Sequence, residues 1–70
     1  MQAMQETIEF CRRERVRRQQ YLNELQAGIA ITHAKQGRDA PVIDTTAETI
    51  AAERQAIDVL DAILARHPYT

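Results

Sequence analysis

The fold is decided by the stretch GRDAPVID, residues 37–44, which interrupts two segments that have the composition of long helices. Gly37 can adopt the left-handed backbone conformation that often ends a helix, and Pro41 cannot continue one. The residues on either side are mostly Ala, Gln, Glu, Arg, Leu and Ile, a mixture rich in good helix formers. The sequence therefore predicts a loop over residues 37–44 between two helices.

The segment before this loop contains no proline and predicts one long helix over about residues 3–36. Alternating steps of three and four residues select a seam along this helix with the spacing of a coiled coil. The seam is apolar apart from one charged layer, formed by Arg15 and Arg18. Its members are Met1, Met4, Ile8, Cys11, Arg15, Arg18, Leu22, Leu25, Ile29 and Thr32.

The segment after the loop predicts a second helix over about residues 45–67. Thr45 and Glu48 have the spacing of a capping box, and Asp44 and Thr46 are alternative caps. The apolar residues that follow have the spacing of an amphipathic helix, which ends before Pro68.

The short loop favours antiparallel packing of the two helices. The predicted fold is therefore all-α, a hairpin of a long first helix and a shorter second helix in a single domain over residues 1–70. In the expected register Arg18 lies near Ile63, and Val42 and Ile43 cover the end of the hairpin. The predicted core comprises Ile8, Cys11, Leu22, Leu25, Ile29, Ile50, Ile57, Leu60, Ile63 and Leu64.

The start of the first helix is expected to overhang the second helix. Each large apolar side chain left in water costs about 1.5–3 kcal/mol relative to burial, and so short a chain has a marginal core of its own. We therefore predict a homo-oligomeric helical bundle, a dimer or larger. Its interface is expected to include Met4, Ile8, Cys11 and Leu22, and the full overhang comprises Met1, Met4, Ile8, Phe10 and Cys11.

Five of the nine basic residues lie between positions 12 and 18, although the net charge of the chain is only −1. Ordinary helix ion pairs, Glu9 with Arg13 and Glu14 with Arg18, explain part of this cluster. Arg15 and Arg18 lie on the seam and need either acidic side chains such as Asp61 or a bound anion to neutralise them. Because arginine binds phosphate bidentately and stacks on rings, the predicted ligand-binding residues are Arg12, Arg15, Arg18 and Tyr21.

Other chemistry is not favoured. Cys11, His33 and His67 lack the spacing of metal ligands, and there is no glycine-rich phosphate loop, so we expect no enzyme, no metal and no cofactor. Nucleic-acid binding is disfavoured because several glutamates accompany the arginines. The single cysteine, the lack of a long apolar run and the lack of a signal peptide together predict a cytoplasmic protein without membrane contact.

Two functional hypotheses follow from these patterns. In the first, the oligomer is a non-catalytic binding protein that sequesters a small, nucleotide-like anion at an arginine-lined subunit interface. In the second, the chain is a protein-interaction regulator, such as an inhibitor, an antitoxin-like module or an adaptor. It would then engage the acidic surface of a larger partner through its first helix.

Overall fold

The computed structural model describes residues 2–67, with side chains described from Met4 onward. The order of elements is α1 (Gln2–Gln26), β1 (His33–Ala34), β2 (Ile43–Asp44) and α2 (Thr46–Ala65). The protein is thus mostly helical, with two helices and one small two-stranded sheet. The helices run antiparallel, and the chain measures 52 × 25 × 16 Å along its principal axes.

Helix α1 ends at Gln26, so the predicted end near residue 36 is wrong. The cause is Gly28, whose φ of +77° lies in the left-handed region. Gly28 N–H donates to the carbonyl of Leu25 at 3.3 Å, and Ile29 N–H donates to that of Glu24 at 2.9 Å. These two bonds are those of a Schellman motif with glycine at its left-handed position. Gly28, and not Gly37, therefore ends the first helix.

The connection between the helices contains a sheet that the all-α prediction missed. Strand β1 pairs antiparallel with β2, in the register His33 with Asp44 and Ala34 with Ile43. The second glycine, Gly37, has a φ of +96° in the turn between the strands. β-branched residues flank both strands, and such residues favour extended backbone. The predicted loop over residues 37–44 is consequently correct for the turn but not for Ile43 and Asp44.

Helix α2 agrees with the prediction to within two residues at each end. Its cap does not. Thr45 occupies the N-cap position but makes no side-chain cap hydrogen bond, whereas Asp44 Oδ1 accepts the backbone N–H of Thr46 at 2.8 Å. Of the alternatives that the sequence offers, Asp44 is therefore the residue that satisfies the first turn.

Threonine hydroxyls join the segment before β1 to the start of α2. Thr32 Oγ1 shares a hydrogen bond with Thr49 Oγ1 at 2.8 Å and accepts another from Thr45 Oγ1 at 3.0 Å. Thr32 N–H donates to Thr46 Oγ1 at 3.1 Å, and Thr45 N–H donates to the carbonyl of Thr32 at 2.9 Å. This threonine cluster attaches the two-stranded sheet to the first turn of α2.

The buried core is small. The predicted core residues Ile50, Leu60, Ile63 and Leu64 are only half-buried, and Ile29 is 78% exposed because it lies beyond the end of α1. Val42 and Ile43 are exposed as well, so the expectation that they cover the hairpin is also wrong. The buried apolar residues among those described are Ile8, Cys11, Leu22, Leu25 and Ile57.

The predicted overhang of α1 is largely absent. With 25 residues in α1 and 20 in α2, the helices are similar in length, and Arg18 pairs with Glu53 instead of lying near Ile63. This shift in register buries Ile8 and Cys11 within one chain. Of the remaining overhang residues, Met4 and Phe10 are half exposed, and Met1 lies outside the described side chains.

We expect Thr32→Val to lower the free energy of unfolding by about 1–2 kcal/mol, because it removes two side-chain hydrogen bonds without changing shape. Thr45→Val removes only one bond of the same cluster and should cost roughly half as much. Urea denaturation followed by circular dichroism measures both values. Equal stability of the two variants and the wild type would show that the threonine cluster does not stabilise the attachment of the sheet to α2.

Candidate interaction site

Arg15 is neutralised by a carboxylate of the other helix. Its Nε lies 2.8 Å from Asp61 Oδ1 and its Nη2 lies 3.4 Å from Asp61 Oδ2, a bidentate arrangement. The hydrogen bond from Arg15 lowers the pKa of Asp61 below its ordinary range, and the same contact raises the pKa of Arg15. Both side chains keep access to solvent, with exposures of 35% and 49%.

Arg18 lies between two carboxylates in a more enclosed setting. Its Nη1 donates to both carboxylate oxygens of Glu53, at 3.1 and 3.0 Å, and its Nε lies 3.3 Å from Glu14 Oε1. The Glu53 side chain is only 14% exposed and that of Glu14 is 23% exposed. The predicted pair of Glu14 with Arg18 is thus confirmed, while Glu9 and Arg13 form no ion pair. The charged layer of the seam is neutral within one chain.

The four residues predicted to bind an anion do not form one site. Arg18 and Tyr21 line a small hollow of about 200 Å³, together with Arg17, Glu14 and Glu53. The two carboxylates in this hollow oppose an anion, and the volume is below the roughly 300 Å³ usual for a small-molecule site. Arg15 forms an ion pair with Asp61, and Arg12 lines a separate depression on the surface of α1. Anion binding therefore remains a prediction, but the charged seam no longer requires it.

A second feature is a groove between the two helices, about 380 Å³ in volume. Its lining is mostly apolar, although it also includes the charged side chains of Arg18 and Glu14. Phe10 and Val59 stand on opposite sides with 55% and 54% of their surface exposed. We call its lining residues the groove face: Phe10, Glu14, Arg18, Ala56, Val59 and Leu60.

The third feature lies on the outside of α1. Arg12, Arg13, Val16 and Arg17 line a shallow, open depression of about 410 Å³, and we call these four residues the arginine surface. Val16, the apolar residue among them, is 54% exposed. Arg17 is 79% exposed, and its ion pair with Glu14 spans 3.7 Å. Among the described side chains, no carboxylate forms an ion pair with Arg12 or Arg13.

Sequence reasoning missed one valine on each surface, Val59 on the groove face and Val16 on the arginine surface. Val16 lies off the heptad seam of α1, and Val59 is not among the α2 residues predicted to form the core. The available signal was an aliphatic residue among the polar residues of a helix. Burial in the core of the same chain does not explain a residue at such a position. The hairpin end carries further exposed apolar residues, which are Ile29, Ile31, Val42 and Ile43.

Two kinds of site have no counterpart among the described residues. No group of three or more His, Cys, Asp and Glu side chains is placed to hold a metal ion. Neither of the two described helices is long and apolar enough to cross a membrane.

Comparison of the chain with protein-family models, with curated proteins and with solved structures gave no match. The fold and its surfaces nevertheless define a class: a two-helix hairpin, closed by a small sheet, with one apolar and one cationic face. Function has to be inferred from those faces.

We expect Arg18→Met to lower the free energy of unfolding by about 1–3 kcal/mol, because it leaves the enclosed carboxylate of Glu53 without its charged hydrogen-bond partner. The double variant Arg18→Met, Glu53→Met should recover most of the loss, since apolar pairs often replace buried ion pairs without penalty. Urea denaturation of the full double-mutant cycle measures the coupling. Additive losses would mean that the pair contributes no interaction energy.

Acid should destabilise the protein partly through Asp61. Because the folded state lowers the pKa of Asp61, this group adds stability above its unfolded pKa of about 3.9, and the stability is lost as the pH falls through the folded value. Denaturation at pH 7 and pH 3 should therefore show a smaller difference for Asp61→Asn than for the wild type. Asp58→Asn is the matched control, since Asp58 is exposed on the same helix and has no ion pair among the described residues. An equal difference in all three proteins would contradict the assignment.

Proposed function

We propose that the protein is a non-catalytic interaction module that works as a homodimer, in which two hairpins pack their groove faces together as a four-helix bundle. The observation that carries the proposal is an excess of exposed surface. The chain exposes 5519 Å² for a mass of 8.0 kDa. A folded monomer of that mass exposes only about 4,450 Å² on the usual size scaling.

The size of this excess matches a protein interface. It amounts to about 1,000 Å², and a standard interface buries about 800 Å² on each partner. A second copy seated on one face would therefore bring the exposed surface down to that of an ordinary folded protein.

The shape of the chain supports the same conclusion. Its radius of gyration is 15.9 Å, against about 11 Å for a compact domain of this length. Its smallest dimension is 16 Å, and one helix with its side chains is about 10–12 Å across. The hairpin is thus a single layer of helices, while stable domains generally need two layers around a core. A second hairpin supplies the missing layer.

The groove face is the side best suited to that contact. Phe10 and Val59 are large, apolar and half exposed, and the small side chain of Ala56 in the same lining allows a close approach. The charges on this face already neutralise one another, because Arg18 is paired with Glu14 and Glu53. In a two-fold dimer each copy contributes the same residues, so the Phe10 ring of each copy can fill the groove of the other.

An antiparallel arrangement of the copies also accounts for the exposed ends. When two chains of 52 Å overlap in opposite directions, the hairpin end of one lies beside the start of α1 of the other. Ile31 and Val42, at 68% and 61% exposure, then approach Met4 of the second copy, which is itself 50% exposed. In this arrangement both groups bury apolar surface that is otherwise exposed to water, which is favourable.

Val59→Glu tests the dimer. The dissociation constant should rise at least about a hundredfold, because each copy adds a carboxylate to the contact and a cost of about 1.4 kcal/mol per carboxylate already gives that factor. Sedimentation equilibrium measures the constant, and circular dichroism checks that the helices persist.

Val16→Glu is the matched control, since Val16 is also a helical valine with 54% exposure but lies outside the groove face. It should leave the dimer intact. Phe10→Ser provides a second test from the opposite wall of the groove and should also weaken association. A monomeric wild type at high micromolar concentration, or equal effects of the two glutamate substitutions, would overturn the proposal.

A further inference from the structure

We infer that the arginine surface binds an acidic, amphipathic helical segment of a protein partner. This inference goes beyond the proposed homodimer and concerns a different face of α1. It depends mainly on Arg12, Arg13 and Val16, none of which belongs to the groove face.

Charge is the first indication. Arg15, Arg17 and Arg18 each have a carboxylate within ion-pair distance. Arg12 and Arg13 have none among the described residues, even though Glu9 is one turn from Arg13, a spacing at which helix ion pairs form. Two adjacent cations without counter-charge repel each other, and both gain from an anionic partner.

The apolar lining of the surface is the second indication. The depression is lined almost wholly by the aliphatic stems of the arginines and by Val16. Arginine stems commonly cover apolar surface while the charged head remains in water. A matching ligand therefore needs an apolar group to contact Val16 and carboxylates around it to meet the guanidinium groups.

The depression is too shallow and open for a small molecule, whose sites usually enclose most of the ligand. It lies on one helix only, and a helix face is a surface on which another helix packs. Arg12 and Arg13 are four and three residues before Val16, so they flank it on neighbouring ridges of α1. A leucine with glutamates three or four residues away on a partner helix has the complementary pattern.

A nucleic acid fits this surface less well. It carries a negative charge at every residue, so its phosphates cannot avoid Glu9, which precedes the arginines by one turn. A peptide can place an uncharged or basic residue at that point. The net charge of the chain, −1, gives no general attraction for a polyanion either.

The test is fluorescence anisotropy with a labelled helical peptide of about 15 residues, built from Ala, Leu and Glu with each leucine flanked by glutamates three and four residues away. We expect binding that weakens as the salt concentration rises. A scrambled peptide of the same composition, the same peptide with lysine in place of glutamate, a single-stranded DNA oligonucleotide and ATP should all bind more weakly. Equal or tighter binding of any of these four probes would overturn the inference.

Variants locate the site. Arg12→Ala combined with Arg13→Ala should raise the dissociation constant of the acidic peptide about fivefold, the loss expected for two exposed ion pairs. Lys35→Ala combined with Arg38→Ala removes the same charge from the connection between the helices and should leave the dissociation constant unchanged. Val16→Glu should weaken binding as well, which keeps the test decisive if the arginine variant fails to fold. Unchanged affinity in both arginine-surface variants would contradict the site.

The two proposals fail separately. Val59→Glu should abolish the dimer and keep peptide binding, whereas Val16→Glu should keep the dimer and weaken peptide binding. Loss of peptide binding in Val59→Glu would show that the peptide occupies the groove face instead.

Discussion

The left-handed conformation of Gly28 is the constraint on which the rest of the structure depends. By ending α1 at Gln26, it sets the point from which the chain turns back and therefore the level at which α2 lies against α1. In that register Arg15 meets Asp61 and Arg18 meets Glu53. A helix that continued through Gly28 would slide α2 along α1 and separate both pairs. One backbone dihedral thus decides whether the charged layer of the seam is neutral.

The charged layer divides the apolar seam into two short cores. Ile8 and Cys11 lie on one side of it, and Leu22 and Leu25 lie on the other. Neither core is large, because two helices in a single layer can cover only one stripe of each other. The remaining apolar residues are left on the groove face and at the hairpin end. Incomplete burial within one chain and the capacity to bind a second chain are therefore two consequences of the same geometry.

Much of the fold could be predicted from the sequence. The second helix has a clear start and a proline after its end, and its bounds agree closely with the structure. The end of the first helix could not be predicted, because an isolated glycine is tolerated within helices and ends one only when the following residues fold back. Ile31, Thr32, Val42 and Ile43 gave a local signal for extended backbone, which the helical periodicity of the flanking segments outweighed. For the site, Asp61 was foreseen as a partner of the seam arginines. Glu53 was not, since that pair depends on the register that Gly28 sets.

Because Cys11 is buried, the rate at which its thiol reacts can report local opening of the structure. Cys11 is 7% exposed in the seam near Ile8, and no other cysteine occurs in the sequence. Alkylating reagents reach such a thiol only when the surrounding packing opens, so the rate of modification reports the frequency of local opening at the start of α1. Cys11 is therefore a single labelling site for measuring how often the native state opens at the end of the hairpin opposite the turn.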